Sequence, residues 1–353
     1  MKLRPDKKRY LTVLILALFS FTFSSCVEDI FGPEADDPIE INYELWVAKS
    51  DGSSSAKIAD GGRLCAFLSA TNKILYLSSR SSTLGLNVIN PDGSDQTLLW
   101  KDDYSDIKNF SFSPGNSKIL LPTVYHGLYE LDPGTLGLSQ ILNTAHTPVA
   151  SAGYSKSMAK VVCQDGFGIT VLDRYGNNNI VDNILTIRRS SDSAVVKSPA
   201  FIFNDTRVIY LQRAWNWPSD IYSLRSYTLR TGTDSELISY KSIPLFGEHF
   251  EVMDGDRILC TVREDNKYYI KIIDLADNSR TVLLGEGQKF SLSPDGSKVV
   301  IYDKNNIYII NSDGTDRHLV YTELGGKVEL ITASLSFDGK YIVFAKTIDI
   351  RRY

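Results

Sequence analysis

The sequence predicts an all-β chain folded as a β-propeller, and three observations predict it. A unit recurs along the chain, clearest at residues 290–320, and such a period must be read first because it decides the architecture. Inside that unit an alternating run ends in Ser293-Pro294-Asp295-Gly296, a second run follows at once, and a third ends in Asn311-Ser312-Asp313-Gly314. Proline presets φ at the first turn position and glycine accepts φ > 0, so each such turn joins two antiparallel strands. Four strands per unit, repeated head to tail, are the blades of a propeller.

Ahead of the repeats stands an address. Lys2, Arg4, Lys7, Lys8 and Arg9 form a basic region, and residues 11–23 form an apolar stretch too short for an ordinary membrane span. Ser24 and Ser25 then precede Cys26. The run Phe23-Ser24-Ser25-Cys26 resembles a bacterial lipoprotein signal, which implies acylation of Cys26 as the new N-terminus; a plain secretory signal is the alternative. The expected organisation is a signal peptide over 1–25, an acidic tether over 26–40 and a propeller over 41–353. The expected location is outside the cytoplasm, lipid-anchored in the outer membrane and facing the periplasm or the cell surface.

Charge separates tether from body. Five of 38 basic and one of 42 acidic side chains fall in residues 1–25. Six acids (Glu28, Asp29, Glu34, Asp36, Asp37, Glu40) crowd residues 27–40 with no base, leaving 33 basic against 35 acidic from residue 41 onward. That acidic, Pro- and Gly-containing run reads as an extended, solvated tether, and it resembles surface-export signals of some Gram-negative lipoproteins. The near-neutral body offers no basic stripe for phosphates, so nucleic acid is not an expected partner. The apolar fraction of 43% is that of an ordinary folded chain.

The repeats are expected in order along the rest of the sequence. Inner strand pairs fall at about 63–78, 107–122, 147–163, 198–213, 246–263, 288–303 and 329–346. Outer pairs fall at about 43–58, 84–100, 126–142, 167–184, 220–239, 267–284 and 306–322. Seven of each imply seven blades, with six as the alternative because the third and fourth units have the weakest turn signals. The series opens on an outer pair and finishes on an inner one, so the chain ends are expected to complete one blade and close the ring, removing exposed edges. Cys65, Cys163 and Cys260 each sit inside an apolar strand run, lack metal or redox spacing, and read as free buried thiols.

The runs beginning at Phe110, Phe290 and Ser334 (Phe-Ser-Phe-Ser-Pro-Gly, Phe-Ser-Leu-Ser-Pro-Asp-Gly and Ser-Leu-Ser-Phe-Asp-Gly) resemble the WD-like repeats of TolB-type β-propellers over about residues 43–346. The resemblance implies the fold. It implies little about function, because such propellers serve as binding modules, as peptidase gates and as a few lyases.

A peptidase is not expected, since the repeats consume the chain and Gly153-Tyr154-Ser155-Lys156-Ser157 lacks the second glycine of a nucleophile elbow. His126, His146 and His249 map to the rim opposite the Asp-Gly turns, whereas His318 follows such a turn on an outer strand and reads as exposed. Convergent imidazoles could bind a divalent metal, and oligogalacturonide lyases on seven-bladed propellers resemble this arrangement, although their ligand spacing is not recognisable here. The same rim should carry Arg213-Ala214-Trp215-Asn216-Trp217-Pro218, a connection longer than the fold requires. Two Trp in a polar loop suit stacking on a sugar or anchoring a protein, with Tyr104 and Tyr125 nearby; the competing reading folds them against the propeller itself. The expectation is therefore a non-catalytic binding module for an envelope protein or saccharide, without a cofactor. The alternative is a metal-dependent oligosaccharide lyase.

Cys26→Ser should abolish acyl labelling and leave the signal uncleaved by the lipoprotein route. Metabolic labelling with a radioactive fatty acid reads this, and equal labelling of variant and parent would refute the assignment.

Overall fold

A computed structural model of the 353-residue chain describes residues 41–79, 85–101, 107, 109–124, 126–143, 148–166, 168–175, 179–188, 196–214, 220–254, 256–277, 280–325 and 328–349. Cys26 and residues 27–40, read from sequence as a tether, lie outside them. Short antiparallel strands account for almost all the regular structure, with one 3-10 turn at Pro114–Asn116. Nothing helical among these residues is long and apolar enough to cross a membrane.

The strands assort in chain order. β1 (Ile41–Lys49) and β2 (Ser55–Asp60) come first, followed by a sheet of β3 (Gly62–Phe67), β4 (Ile74–Ser78), β5 (Gly85–Ile89) and β6 (Thr97–Trp100). The next holds β7 (Ser111–Phe112), β8 (Ile119–Thr123), β9 (Gly127–Leu131) and β10 (Leu138–Leu142). Then come β11 (Ser151–Tyr154), β12 (Lys160–Asp165), β13 (Gly168–Tyr175) and β14 (Asn179–Arg188). β15 (Val196–Ile202), β16 (Arg207–Ala214), β17 (Ile221–Thr228) and β18 (Thr233–Ile238) follow. They are joined through β17 to β19 (Leu245–Met253), β20 (Arg257–Glu264), β21 (Lys267–Asp274) and β22 (Thr281–Glu286), which makes this assembly eight-stranded. After it stands the sheet of β23 (Lys289–Leu292), β24 (Lys298–Tyr302), β25 (Asn306–Asn311) and β26 (His318–Thr322). Finally β27 (Leu330–Leu335) and β28 (Tyr341–Asp349) pair with the opening hairpin in the order β2-β1-β28-β27. The first and last strands thus share one sheet.

Packing follows the same order. Apolar clusters join each sheet to its successor; Leu68, Leu75 and Leu86 with Ile119 and Leu131 are one example, and Val161 and Cys163 with Leu120 and Leu128 are another. Ala48, Ile342 and Phe344 of the chain-end sheet pack on Val300, Ile307 and Ile309 of the sheet before it. On its other side Leu45 and Val343 meet Phe67, Ile74 and Tyr76. Cys65, Cys163 and Cys260 are free and buried, as the apolar runs around them require, and burial pushes the thiols of Cys163 and Cys260 up to about 12.

The Asp-Gly turns lock themselves. Asp92, Asp295 and Asp313 each accept the backbone N–H two residues on, at 2.9, 3.0 and 2.9 Å. The Ser94 and Thr315 hydroxyls first, and these backbone bonds second, favour the ionised form and lower the Asp92 and Asp313 carboxyls. The turns also tie neighbouring sheets together. Ser69 Oγ donates to the Asn116 carbonyl at 2.9 Å, Asp205 accepts the N–H groups of Lys156 and Ser157 at 2.6 and 3.0 Å, and Asp256 accepts that of Phe203 at 2.7 Å. Gly52, at φ +74°, closes on the neighbouring sheet so tightly that a Cβ would lie 3.2 Å from the Leu319 carbonyl oxygen. His318, 37% exposed, also makes a contact that the sequence did not show: its Nε2 meets the Ser50 carbonyl at 3.0 Å, on the same junction.

At the other end of that junction Lys346 lies almost fully buried, with 6% exposed. Its ammonium donates to Glu323 Oε2 at 2.6 Å and to Tyr321 Oη at 3.2 Å, and it sits 4.1 Å over the Trp46 ring. Glu44 Oε2, 3.9 Å away, also accepts the Trp46 indole N–H at 2.8 Å. One cation therefore gathers the first strand, the last strand and the neighbouring β26. Lys346→Ala should lower stability by about 3 kcal/mol, because it leaves the nearly buried Glu323 carboxylate without its counter-charge, whereas Glu44 keeps Lys57 at 2.7 Å. Urea unfolding of the purified body measures this, and an unchanged midpoint would show that the ammonium contributes nothing.

Candidate functional site

Every sheet begins from the same frame, and the frame shows where the repeat is broken. The second strand opens on Lys73, Lys118, Lys160, Arg207, Arg257, Lys298 or Tyr341. Two residues further on, its ladder partner in the first strand is Ala66, Ser111, Gly153, Ala200, Ser291 or Ser334 in six cases. The first strands of successive sheets lie against one another there, as β11 does on β15 and β23 on β27. Little room is left: a Cβ on Gly153 would stand 3.4 Å from the Pro199 carbonyl oxygen. In the remaining sheet the position holds Glu251, opposite Leu259.

Glu251 spans to the next sheet. Its Oε2 accepts the Leu292 N–H of β23 at 3.1 Å, and its Oε1 faces His249 Nε2 at 3.3 Å. The imidazole stacks on Phe290 with centroids 5.5 Å apart, while its side chain stays 54% exposed. A carboxylate fixed by a backbone donor thus orients an imidazole whose outer edge faces solvent. One residue before Leu292, Ser291 Oγ is buried with no hydrogen-bond partner among the described residues. Beyond it Lys289 Nζ donates to Glu329 Oε1 and to the Leu330 carbonyl, both at 3.0 Å.

The backbone is irregular at the same place. Phe246 and Phe250 of β19 oppose the adjacent Thr261 and Cys260 of β20, so Gly247, Glu248 and His249 are extra residues bulged out of the ladder. Gly247 supplies the turn at φ +89°, with open space where a side chain would stand. β15 bulges too, between Lys197 and Ala200, with Ser198 held at φ 51°. Bulges re-aim side chains and gather near sites. Between these two strands the sheets fuse, since Tyr222 and Ile221 of β17 pair with Leu245 and Phe246 of β19.

Arg213 belongs to this quarter. Its Nη2 and Nε reach Asp220 Oδ1 at 2.7 and 2.8 Å, clamping the base of the connection from β16 to β17. Trp215 and Trp217 lie between these anchors, outside the described residues, as do Tyr104, Tyr125 and His146. His126 sits elsewhere, on the connection from β8 to β9; its ring meets the edge of Trp100 at 6.2 Å, and its N–H donates to Thr123 Oγ1 at 3.1 Å. Among the described residues no three His, Cys, Asp or Glu side chains gather as metal ligands. Sequence reading named Arg213 as a candidate binding residue and His249 as a candidate metal ligand, and passed over Glu251 and the bulges. Alignment of the repeats by their opening basic residue would have exposed Glu251 as the one large side chain in a small position.

No family model matches the chain, and no curated protein matches it. In fold it is similar to the oligogalacturonate lyase of Vibrio parahaemolyticus, at 10% identity and a TM-score of 0.61 over 86% of this chain and 96% of that one. It is also similar to an oligogalacturonate lyase in complex with manganese, at 12% identity and a TM-score of 0.59 over 82% and 90%. The Swd1 β-propeller domain of Myceliophteria thermophila follows, at 11% identity and a TM-score of 0.50 over 82% and 97%. At such identities the likeness concerns the fold alone, and that fold is a β-propeller.

Proposed function

We propose that the chain is a lipid-anchored, TolB-like propeller of seven blades that binds an envelope protein or saccharide through the face where the first strands of its sheets begin, without catalysis. The observation that carries this reading is the break in the repeat at β19, where Glu251 stands in a position that six other first strands give to Ala, Ser or Gly. Register shifts occur along many of the ladders, but the one in β19 passes over three residues and sets His249 beside Glu251. On the opposite face, turn-to-turn hydrogen bonds tie neighbouring sheets together. Trp215 and Trp217 belong to the same connection by sequence and supply the anchors that binding faces favour. Closure of the seven blades into a ring is supported by the sheet that holds both chain ends and by its apolar contacts on both sides.

A second reading, a metal-dependent oligosaccharide lyase, is favoured by two neighbours in fold whose names are oligogalacturonate lyases, one solved with manganese. The described residues do not fit a metal: His249 is engaged with Glu251 and Phe290, and His126 stands apart on Trp100. Metal analysis of the purified soluble body separates the classes. A stoichiometric divalent ion would favour the lyase.

Two outcomes test the proposal. Deleting residues 41–58 should cause aggregation or loss of cooperative unfolding, because it removes the hairpin that completes the chain-end sheet. Deleting 27–40 should leave the melting temperature nearly unchanged. Like behaviour of the two truncations in a thermal melt would remove the case for closure. The double substitution Trp215→Ala and Trp217→Ala should weaken partner capture by about 2 kcal/mol or more at constant melting temperature. A fall in stability of about 3 kcal/mol or more, with capture intact, would assign the rings to packing instead.

A further inference from the structure

Beside the bulge of β19, two aromatic rings come to the surface around one short crossover. Phe246 and Tyr268 lie with ring centroids 4.3 Å apart, both half-buried. Phe246 stands opposite Thr261 in the ladder, and Thr261 Oγ1 donates to the Gln288 carbonyl at 3.1 Å. The Gly287 N–H donates to the Tyr268 carbonyl, also at 3.1 Å. A Cβ on Gly287 would lie 2.4 Å from Ile301 Cγ2, so the crossover from β22 to β23 is pressed onto the core. The next residue, Gln288, is exposed, and Phe290 two residues on stacks with His249. On the other side Phe246 pairs with Ile221, which follows Asp220 of the Arg213 clamp. Rings, amide and imidazole thus share one patch on the face where the first strands begin.

We propose that this patch binds an uncharged saccharide, one sugar ring lying on Phe246 and Tyr268 with its hydroxyls against Gln288, His249 and Glu251. The inference rests on the reading of this face as the binding face, and narrows its ligand to one chemistry. A sugar ring carries C–H groups on its two faces and hydroxyls around its edge. The faces match the apolar surface of aromatic rings, and the hydroxyls need donors and acceptors together, which an amide, an imidazole and a carboxylate supply. Small-ligand sites combine such aromatic lining with a few placed polar groups. Here those groups are already held: Glu251 by the Leu292 N–H, His249 by Glu251 and Phe290, and the Gln288 backbone by Thr261. The surrounding charges argue against an acidic sugar. Lys267 is paired with Glu286 at 2.7 Å, Lys289 with Glu329 at 3.0 Å and Lys271 with Glu264 at 2.6 Å. Glu251 meets no lysine or arginine among the described residues. A uronate carboxylate would give up its water to face Glu251 without a counter-charge of its own. A protein partner would have to bury the same carboxylate at the core of its interface, where charged residues are depleted.

The test uses the full chain, in detergent, on an array of neutral hexasaccharides of glucose, mannose, galactose and xylose, with hexagalacturonate as the anionic counterpart. At least one neutral glycan should bind, and hexagalacturonate should bind about tenfold more weakly or worse. Tyr268→Ala should weaken the neutral glycan by about tenfold or more. Gln288→Ala should weaken it by about threefold or more; being an exposed change, it keeps the test decisive if the ring variant folds poorly. Preference for hexagalacturonate, or neutral binding that neither variant alters, overturns the proposal. A silent array overturns it as well, and protein capture then shows whether the face survives. Capture lost in Gln288→Ala defeats the saccharide alone, whereas capture unchanged by every variant on this face defeats the binding face with it. New reducing ends released from a bound neutral glycan would support the site and defeat the absence of catalysis.

Discussion

A sheet assembled from both ends of the chain is the constraint on which the rest of this structure depends. β27 and β28 arrive last, yet they find their partners in strands made first, so the pairing spans nearly the whole described sequence. Such non-local pairing is slow to form because the loop must close before its contacts are gained. It is held at two points. Lys346 fills a cage of Glu323, Tyr321, Trp46 and Glu44 at one end, and His318 reaches the Ser50 carbonyl at the other. The cage satisfies the ammonium with a carboxylate, a hydroxyl and an aromatic face, which offsets the desolvation a nearly buried cation would otherwise suffer.

The strands meet most closely along their first members, and that crowding explains the residue types found there. Alanine, serine and glycine recur because β-sheets converging edge to edge leave no volume for more. Glu251 is tolerated because its carboxylate reaches across to the Leu292 N–H, turning bulk into a hydrogen bond. The three extra residues of β19 are accommodated by pushing His249 out toward solvent. Packing and site chemistry are therefore two results of the same departure.

Much of this was legible before any coordinates. The Asp-Gly turns and alternating runs placed every strand pair to within a few residues, because a turn that needs φ > 0 leaves its mark in glycine and its neighbours. β7 is only Ser111–Phe112, and its neighbour Pro114-Gly115-Asn116 still marked the turn. Less legible were features that depend on comparing repeats. Glu251 looks like any strand glutamate until six aligned positions show Ser, Ala or Gly. The fusion of β17 with β19 leaves no local signal, since it pairs residues from two repeats. The contact of His318 with the Ser50 carbonyl left no local signal either, because the two residues lie near opposite ends of the chain.

The two faces of the molecule divide its work. On the turn face, aspartates spend their acceptors on backbone N–H groups of their own turn or of the next sheet, as Asp205 does for Lys156 and Ser157. Those groups are already satisfied and have little left for a ligand. On the opposite face the connections vary in length, ion pairs such as Arg213–Asp220 fix their bases, and an oriented imidazole stands in solvent. Likeness in fold to oligogalacturonate lyases does not decide what that face binds, since one scaffold hosts many chemistries. What breaks the repeat is local: a glutamate where crowding calls for a small residue, beside three residues bulged out of β19. A repeat fold tolerates such a break in one quarter because the remaining sheets keep the frame, and that is where a function can be added without losing the structure.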